Sequence, residues 1–166
     1  MNKNIVLIGF MGSGKSMVAQ ALSQRLKREC VATDHLIETR EGQSIARIFE
    51  KKGQSYFRDL EHQVIEEISQ RSEIVIDCGG GVVLNPENLK LLKTNGIVFY
   101  LQASLDVIYA RIRNESHRPL LLVPDPLRAL EQLYQQRLPL YNQADYTIDA
   151  NDASIEGPIA EILKRI

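Results

Sequence analysis

The stretch Gly-Phe-Met-Gly-Ser-Gly-Lys-Ser at residues 9–16 matches the pattern G-x-x-x-x-G-K-[ST] at every fixed position. It lies between an apolar run at residues 5–8 and a segment with helical periodicity. Glycines let the backbone approach a phosphate closely, and successive N–H groups in such a loop form an anion-binding nest. Lys15 is expected to contact the β- and γ-phosphates of a nucleotide, and Ser16 to bind Mg²⁺ through its hydroxyl. The stretch therefore predicts a nucleotide-phosphate site.

Helical periodicity alternates with five short, mostly apolar runs, which are at residues 5–8, 31–33, 73–77, 97–101 and 146–148. We expect helices at about residues 15–28, 35–40, 45–52, 55–71, 86–94, 104–113 and 155–166, with breaks at Gly42 and Gly53. A further helix is expected to begin at Pro126 and to end or kink at Pro139. This order predicts an α/β fold, a three-layer α/β/α sandwich around a five-stranded parallel sheet, as in P-loop nucleoside triphosphatases and nucleoside monophosphate kinases.

The composition is that of an ordinary globular protein. The chain has 166 residues, of which 44% are hydrophobic and 25% charged, and its formal net charge is −1. This charge gives no reason to expect a nucleic-acid or membrane partner, and no apolar run is long enough to cross a bilayer. Cys30 and Cys78 are isolated, so we interpret them as reduced thiols of a cytoplasmic protein.

Two carboxylates follow strands at the edge where open α/β sheets bind ligands. Asp34 comes directly after the second strand, and Asp77 ends the third strand, just before Cys78 and three consecutive glycines. An apolar strand ending in aspartate is typical of P-loop enzymes, in which the carboxylate supports Mg²⁺. The glycines predict close approach of the backbone to a ligand; the alternative is a flexible turn.

Several classes of P-loop protein are compatible with the motif alone. Residues 77–80 fit the D-x-x-G pattern of GTPases, but the sequence has no N-K-x-D guanine pattern, and it is short for a motor ATPase. A compact small-molecule kinase is favoured.

The segment at residues 114–125 has no clear period and carries Arg118, which suits a lid that closes over phosphates. Arg58 and Glu61 are three apart on a predicted helix, and alone they would indicate only a weak surface ion pair.

The sequence resembles the shikimate kinase family over essentially its whole length. The residues that carry the resemblance are the loop at 9–16, Thr33-Asp34, Ser44-Ile45, Ile48-Phe49, Phe57-Arg58, Glu61, Gly79-Gly80-Gly81, Arg118-Pro-Leu-Leu121, Arg137 and Pro139-Leu-Tyr141. The resemblance implies one domain over residues 1–166, with acceptor-binding helices at about 34–61, a lid at about 114–125, and a monomer. It also implies ATP-dependent phosphorylation of the 3-hydroxyl of shikimate.

The resemblance also implies a role for each site residue. Asp34 would bind the shikimate hydroxyls and help to deprotonate the acceptor, while Arg58 and Arg137 would bind its carboxylate. Glu61 would orient Arg58. Lys15 and Arg118 would stabilise the transferring phosphoryl group, and Arg111 would stack near adenine. The implied nucleotide-binding set is Gly12, Ser13, Gly14, Lys15, Ser16, Met17, Arg111 and Arg118, and the acceptor-binding set is Asp34, Arg58, Glu61, Gly79, Gly80, Gly81 and Arg137.

The sequence departs from the family pattern at one acidic position. The family usually has Asp-x-Asp where this chain has Ala32-Thr33-Asp34, and the first aspartate supports Mg²⁺ through water. Asp77 stands where a small hydroxylic residue is common, so our hypothesis is that Asp77, with Ser16, takes over the Mg²⁺ role. The alternative is that Asp77 only ends its strand.

Two other functions remain open from the sequence. The chain could be another small P-loop kinase, acting on gluconate or a nucleoside monophosphate, although the two arginines, Glu61 and the triple glycine describe a site for a small carboxylated polyol. It could also be a catalytically inactive nucleotide-binding module. Ala32 alone favours that reading, and the presence of Lys15, Ser16 and Asp34 argues against it.

Overall fold

The computed structural model describes residues 3–114 and 123–166. Its centre is one parallel sheet of five strands in the order β2-β3-β1-β4-β5, which confirms the predicted sheet. The second strand therefore lies at one edge, and the strand before the phosphate loop lies in the middle. The strands are β1 Asn4–Ile8, β2 Cys30–Ala32, β3 Val75–Asp77, β4 Gly96–Gln102 and β5 Tyr146–Asp149.

Helices cover both faces of this sheet. Residues of β1 alternate between the two faces: Val6 and Ile8 belong to one buried cluster, and Ile5 and Leu7 to the other. All five residues of β1 are buried, as a strand between two helical layers requires. The helices are α1 Lys15–Leu26, α2 Thr33–Glu41, α3 Ile45–Ser69, α4 Pro86–Asn95, α5 Leu105–Ile112, α6 Pro126–Tyr141 and α7 Glu156–Leu163.

Two predicted boundaries were wrong. Strand β2 ends at Ala32, and Thr33 is already the first residue of α2. The Thr33 hydroxyl accepts a hydrogen bond from the backbone N–H of Gly79 at 2.9 Å, which ties the start of α2 to the triple glycine. Helix α6 continues through Pro139 to Tyr141. It does so although a proline there removes one backbone hydrogen bond and crowds the carbonyl of the preceding turn.

The break at Gly53 is confirmed. Helix α3 contains non-helical backbone there, with φ 83° and ψ 173°, so it consists of two helical pieces joined at this glycine. The second piece carries Arg58 and Glu61. Residues 115–122, which include Arg118 and most of the predicted lid, lie outside the described residues, so the lid stays a prediction. No helix in the described ranges is long and apolar enough to cross a membrane.

Candidate active site

The phosphate loop joins the end of β1 to the start of α1. Gly12 has φ +73° and Gly14, which precedes the first residue of α1, has φ +91°. A Cβ added at Gly12 would lie 2.7 Å from Cγ2 of Ile112, so both backbone angle and space require glycine there. The Lys15 ammonium donates hydrogen bonds to the carbonyl oxygens of Gly9 (2.9 Å) and Phe10 (3.1 Å). These bonds hold the amine over the loop.

A cavity of about 430 Å³ opens beside the loop at the carboxyl ends of the strands. It brings together residues from the three parts of the sequence that were predicted to form the site. Asp34 comes from α2, Asp77 from the end of β3, and Gly79 and Gly80 from the triple glycine. The loop contributes Met11, Gly12, Gly14, Lys15, Ser16 and Met17.

Ser16 and Asp77 are directly joined in this cavity. The Ser16 hydroxyl donates to Oδ2 of Asp77 at 2.6 Å. Asp77 is only 9% exposed, and it pairs with Ala32 across strands β3 and β2. Both oxygen groups are of the kind that Mg²⁺ prefers. The described residues contain no cluster of three or more His, Cys, Asp and Glu side chains that could hold a metal by itself.

Asp34 lies in the first turn of α2 with its carboxylate inside the cavity. Its Oδ1 atom is buried and has no hydrogen-bond partner among the described residues. Burial raises the pKa of this carboxyl; Lys15 lowers it, and Asp77 raises it further. A Cβ at Gly79 would overlap Oδ1 of Asp34, so glycine at this position makes room for the carboxylate. An unpartnered buried oxygen at this place is ready to accept a proton or a hydroxyl hydrogen bond.

Arg58 and Glu61 form a partly buried pair rather than the weak surface pair that their spacing alone would suggest. Nη1 of Arg58 donates to Oε2 of Glu61 at 2.6 Å, and the Glu61 side chain is completely buried. Burial raises the pKa of Glu61, and the Arg58 guanidinium opposes that shift. A Cβ at Gly81 would overlap the Arg58 guanidinium. Nε of Arg58 has no partner among the described residues, so the guanidinium keeps donor capacity.

Arg137 approaches the same region from α6. Its Nη1 donates a long hydrogen bond of 3.4 Å to the carbonyl oxygen of Gly80, and its guanidinium carbon lies 5.9 Å from the centre of the Phe10 ring. Nε of Arg137 is buried and unpartnered in the described part of the chain. The Tyr141 hydroxyl donates to the same Gly80 oxygen at 2.5 Å. The Arg58 and Arg137 guanidiniums therefore lie next to Gly81 and Gly80, and the Asp34 carboxylate lies next to Gly79.

A second cavity of about 340 Å³ lies on the other side of the phosphate loop. Arg111 lines it, and its guanidinium donates to the carbonyl oxygens of Gly12 (3.2 Å), Ala150 (2.9 Å) and Asp152 (2.8 Å). Arg111 thus ties the loop to the segment after β5. Met17, which is 61% exposed, lines both cavities. The cavity has the position and size for the base of a nucleotide whose phosphates lie on the loop.

The predicted site residues that the structure describes lie around the phosphate loop and the triple glycine, with Ser13 and Arg111 lining the second cavity. Arg118 lies outside the described residues. Thr33 and Tyr141 contact the triple glycine and were not predicted as site residues. The spacing of four residues between Arg137 and Tyr141 on one helix was the available signal, since it places both side chains on the same face.

Comparisons with known proteins agree with this geometry. The family model described as shikimate kinase matches residues 11–166. A shikimate kinase of Thermodesulfovibrio yellowstonii is 44% identical over 162 residues, which cover 98% of this chain and 94% of that protein. A shikimate kinase of Burkholderia lata is also 44% identical, over 164 residues that cover 98% of this chain and 89% of that protein.

Solved structures give the same result. The structure of shikimate kinase from Acinetobacter baumannii in complex with shikimate superposes with a TM-score of 0.93 at 37% identity, covering 99% of this chain and 93% of the other. Shikimate kinase from Aquifex aeolicus gives a TM-score of 0.83 at 35% identity, covering 98% and 94%. Sequence and fold agree along nearly the whole of each protein. The chain therefore belongs to the shikimate kinase family, a family of ATP-dependent phosphotransferases.

Proposed function

We propose that this protein transfers the γ-phosphoryl group of ATP to the 3-hydroxyl of shikimate, giving shikimate 3-phosphate and ADP. One observation carries the proposal: the triple glycine lies against Asp34, Arg137 and Arg58, and the Asp34 carboxylate lines the same cavity as the phosphate loop. A small acceptor with both a hydroxyl and a carboxylate matches these groups.

The two arginines suit the carboxylate of the acceptor. A guanidinium presents planar paired donors to a carboxylate, which strengthens the bond and fixes its direction. Arg58 is held by Glu61, and Arg137 is held between the Phe10 ring and the Gly80 carbonyl. An acceptor fixed at this end presents its ring hydroxyls to Asp34.

Asp34 is the group that accepts the proton of the attacking hydroxyl. Its carboxylate lies in the same cavity as Lys15, so a hydroxyl bound to Asp34 lies near the phosphates that the loop holds. Burial raises the pKa of Asp34 and so makes it a better proton acceptor than an exposed aspartate. Much of the rate enhancement comes from holding the hydroxyl and the phosphate together in this geometry.

Lys15 and the loop N–H groups bind the nucleotide phosphates. The Lys15 ammonium, now bonded to loop carbonyls, supplies positive charge where the equatorial phosphoryl oxygens gain negative charge. Arg118 is proposed to add a second positive charge from the lid. Arg111 and Met17 border the cavity proposed for the base, together with Gly12, Ser13 and Gly14.

Ser16 and Asp77 are the residues that would hold Mg²⁺. Their bond of 2.6 Å supports this role, because it aligns one hydroxyl and one carboxylate oxygen beside the loop. Mg²⁺ keeps several water ligands and needs few protein ones, so the absence of a larger acidic cluster among the described residues is compatible with the site. Bound there, Mg²⁺ would neutralise charge on the β- and γ-phosphates.

The alternative acceptors are gluconate and a nucleoside monophosphate. We would incubate the protein with ATP, Mg²⁺ and one of shikimate, gluconate or AMP, and identify the product by ³¹P nuclear magnetic resonance. The proposal expects phosphorylation of shikimate at the 3-hydroxyl, and none in the Lys15→Met variant. Preferential phosphorylation of gluconate or AMP would overturn it, and no transfer to any acceptor would favour an inactive nucleotide-binding module.

We further propose that the protein is a cytoplasmic monomer without a nucleic-acid or membrane partner.

A further inference from the structure

Two donors on helix α6 share one acceptor in the site. The Tyr141 hydroxyl donates to the carbonyl oxygen of Gly80 at 2.5 Å, whereas Nη1 of Arg137 donates to the same oxygen at 3.4 Å. The first bond is short and the second is at the outer limit of a hydrogen bond. The tyrosine therefore holds this carbonyl, and Arg137 contacts it only weakly.

Tyr141 has little freedom to move. Its side chain is fully buried, and its ring stacks on Tyr100 with centroids 5.1 Å apart and an angle of 16° between the planes. Burial raises the pKa of Tyr141 to about 12, against the opposing effect of the Arg137 guanidinium. The hydroxyl consequently keeps its proton at neutral pH and remains a donor.

We propose that Tyr141 is a positioning residue that keeps the Arg137 guanidinium available for the acceptor carboxylate by occupying the Gly80 carbonyl. The inference rests on the proposed function. Without the hydroxyl, the Gly80 oxygen would be a partly buried acceptor with one weak partner, which is costly. The Arg137 guanidinium already contacts this oxygen and would turn further towards it. Its N–H groups would then bond within the protein and would no longer be available to the carboxylate of the acceptor.

The test compares Tyr141→Phe with Tyr134→Phe. Tyr134 lies on the same helix and is also buried, and its hydroxyl donates to the carbonyl oxygen of Ala103 at 3.1 Å rather than to Gly80. Its ring packs edge-on against Phe10, a contact that phenylalanine keeps. Both variants keep their rings and lose one hydroxyl, so they match in chemistry. Dissociation constants come from calorimetry for shikimate and for its carboxamide, which lacks the carboxylate charge. KM values for shikimate and ATP are measured alongside.

We expect Tyr141→Phe to weaken shikimate binding and to raise KM for shikimate about tenfold, the effect of one bond to a charged group. The KM for ATP should change by less than about twofold, and Tyr134→Phe should match the unmodified protein. Binding of the carboxamide should be nearly equal in all three proteins. An equal loss for shikimate and the carboxamide would overturn the inference, because a purely structural role affects both.

A double variant tests independently whether Tyr141 acts through Arg137. In an Arg137→Lys background, Tyr141→Phe should cost no further shikimate affinity, because the group that it positions is gone. The rise in unfolding temperature with shikimate concentration reports binding in every variant that still folds. An additive loss in the double variant contradicts the inference. Failure of the unmodified protein to bind shikimate would instead overturn the proposed function.

Discussion

Ala32 and Asp77 lie opposite each other on the neighbouring parallel strands β2 and β3. We propose that Asp77 supplies, from the second of these strands, the acid that the family pattern has on the first. Neighbouring strands are only about 5 Å apart, so a carboxylate moved by one strand stays close to the phosphate loop. The hydrogen bond from Ser16 to Asp77 shows that the Asp77 carboxylate contacts the phosphate loop directly.

Asp77→Asn should weaken the use of Mg²⁺ and leave shikimate binding nearly unchanged. The amide keeps the size of the side chain but loses the charge that attracts the ion, so we expect the Mg²⁺ concentration for half-maximal activity to rise about tenfold or more. The measurement is a Mg²⁺ titration of ADP release at saturating ATP. The double variant Ala32→Asp/Asp77→Ser should recover much of the loss, and an unchanged titration in Asp77→Asn would rule out this role.

Alanine at Gly79 or Gly81 should reduce activity at least tenfold. The new methyl group would overlap the Asp34 carboxylate in the first case and the Arg58 guanidinium in the second, and small displacements of reacting groups have large effects on rate. Gly157→Ala in helix α7 is the matched control, because no atom lies within 4 Å of the added carbon. Steady-state kinetics of the three variants gives the comparison. Full activity of both site variants would show that the close packing is unimportant.

Glu61→Gln should raise KM for shikimate about tenfold or more, with a smaller effect on KM for ATP. The substitution replaces a buried charged pair at 2.6 Å by a neutral partner and leaves the Arg58 charge poorly compensated, which is typically costly. The control is Glu67→Gln in the same helix, since Glu67 pairs with Arg40 while more than half exposed. The prediction fails if both variants give the same KM for shikimate.

Asp34→Asn should abolish turnover and stabilise the fold at neutral pH. Burial raises the pKa of Asp34 in the folded state, so the folded protein binds this proton more tightly than the unfolded chain does. The contribution of Asp34 to stability is therefore present below its unfolded pKa, about 3.9, and is lost as pH rises through the folded value. Asparagine does not ionise and so avoids that loss. The unfolding temperature of the variant should therefore rise above that of the unmodified protein as pH increases.

Thermal unfolding across acidic to neutral pH checks this. The unfolding temperature should rise by on the order of 2–4 °C for each kcal/mol that the substitution adds to the free energy of unfolding. This gain should disappear in acid. Asp59→Asn is the control, because Asp59 is exposed on α3 and its neutralisation should change little. A lower unfolding temperature for Asp34→Asn at neutral pH would show that the carboxylate stabilises the fold.

Local patterns in the sequence were sufficient to predict the sheet and most helices. The phosphate loop has fixed spacing, the strands are short apolar runs, and Gly53 breaks α3 as predicted. The predicted end of β2 at Thr33 was wrong because it depends on a distant contact, and α6 does not end at Pro139. Thr33 enters α2 with its hydroxyl bound to Gly79, far along the chain, and Pro139 is accommodated near the end of a helix.

The site was predictable as a set of residues but not as a set of contacts. A spacing of three between Arg58 and Glu61 does not reveal whether the pair is buried, because burial depends on how α3 packs against the rest of the chain. Likewise the bond from Tyr141 to Gly80 joins residues 61 positions apart. Ala32 and Asp77 lie opposite each other because of the register between their strands, and the sequence of either strand alone does not determine that register.

The measurement that tests the central proposal most directly is ADP release from ATP and Mg²⁺ with and without shikimate. The account predicts strong stimulation by shikimate, with almost none in Asp34→Asn or Lys15→Met, because the acceptor and donor halves of the site are both required. ATP binding without shikimate-stimulated ADP release would contradict it. Ala32→Asp would then be the first variant to examine.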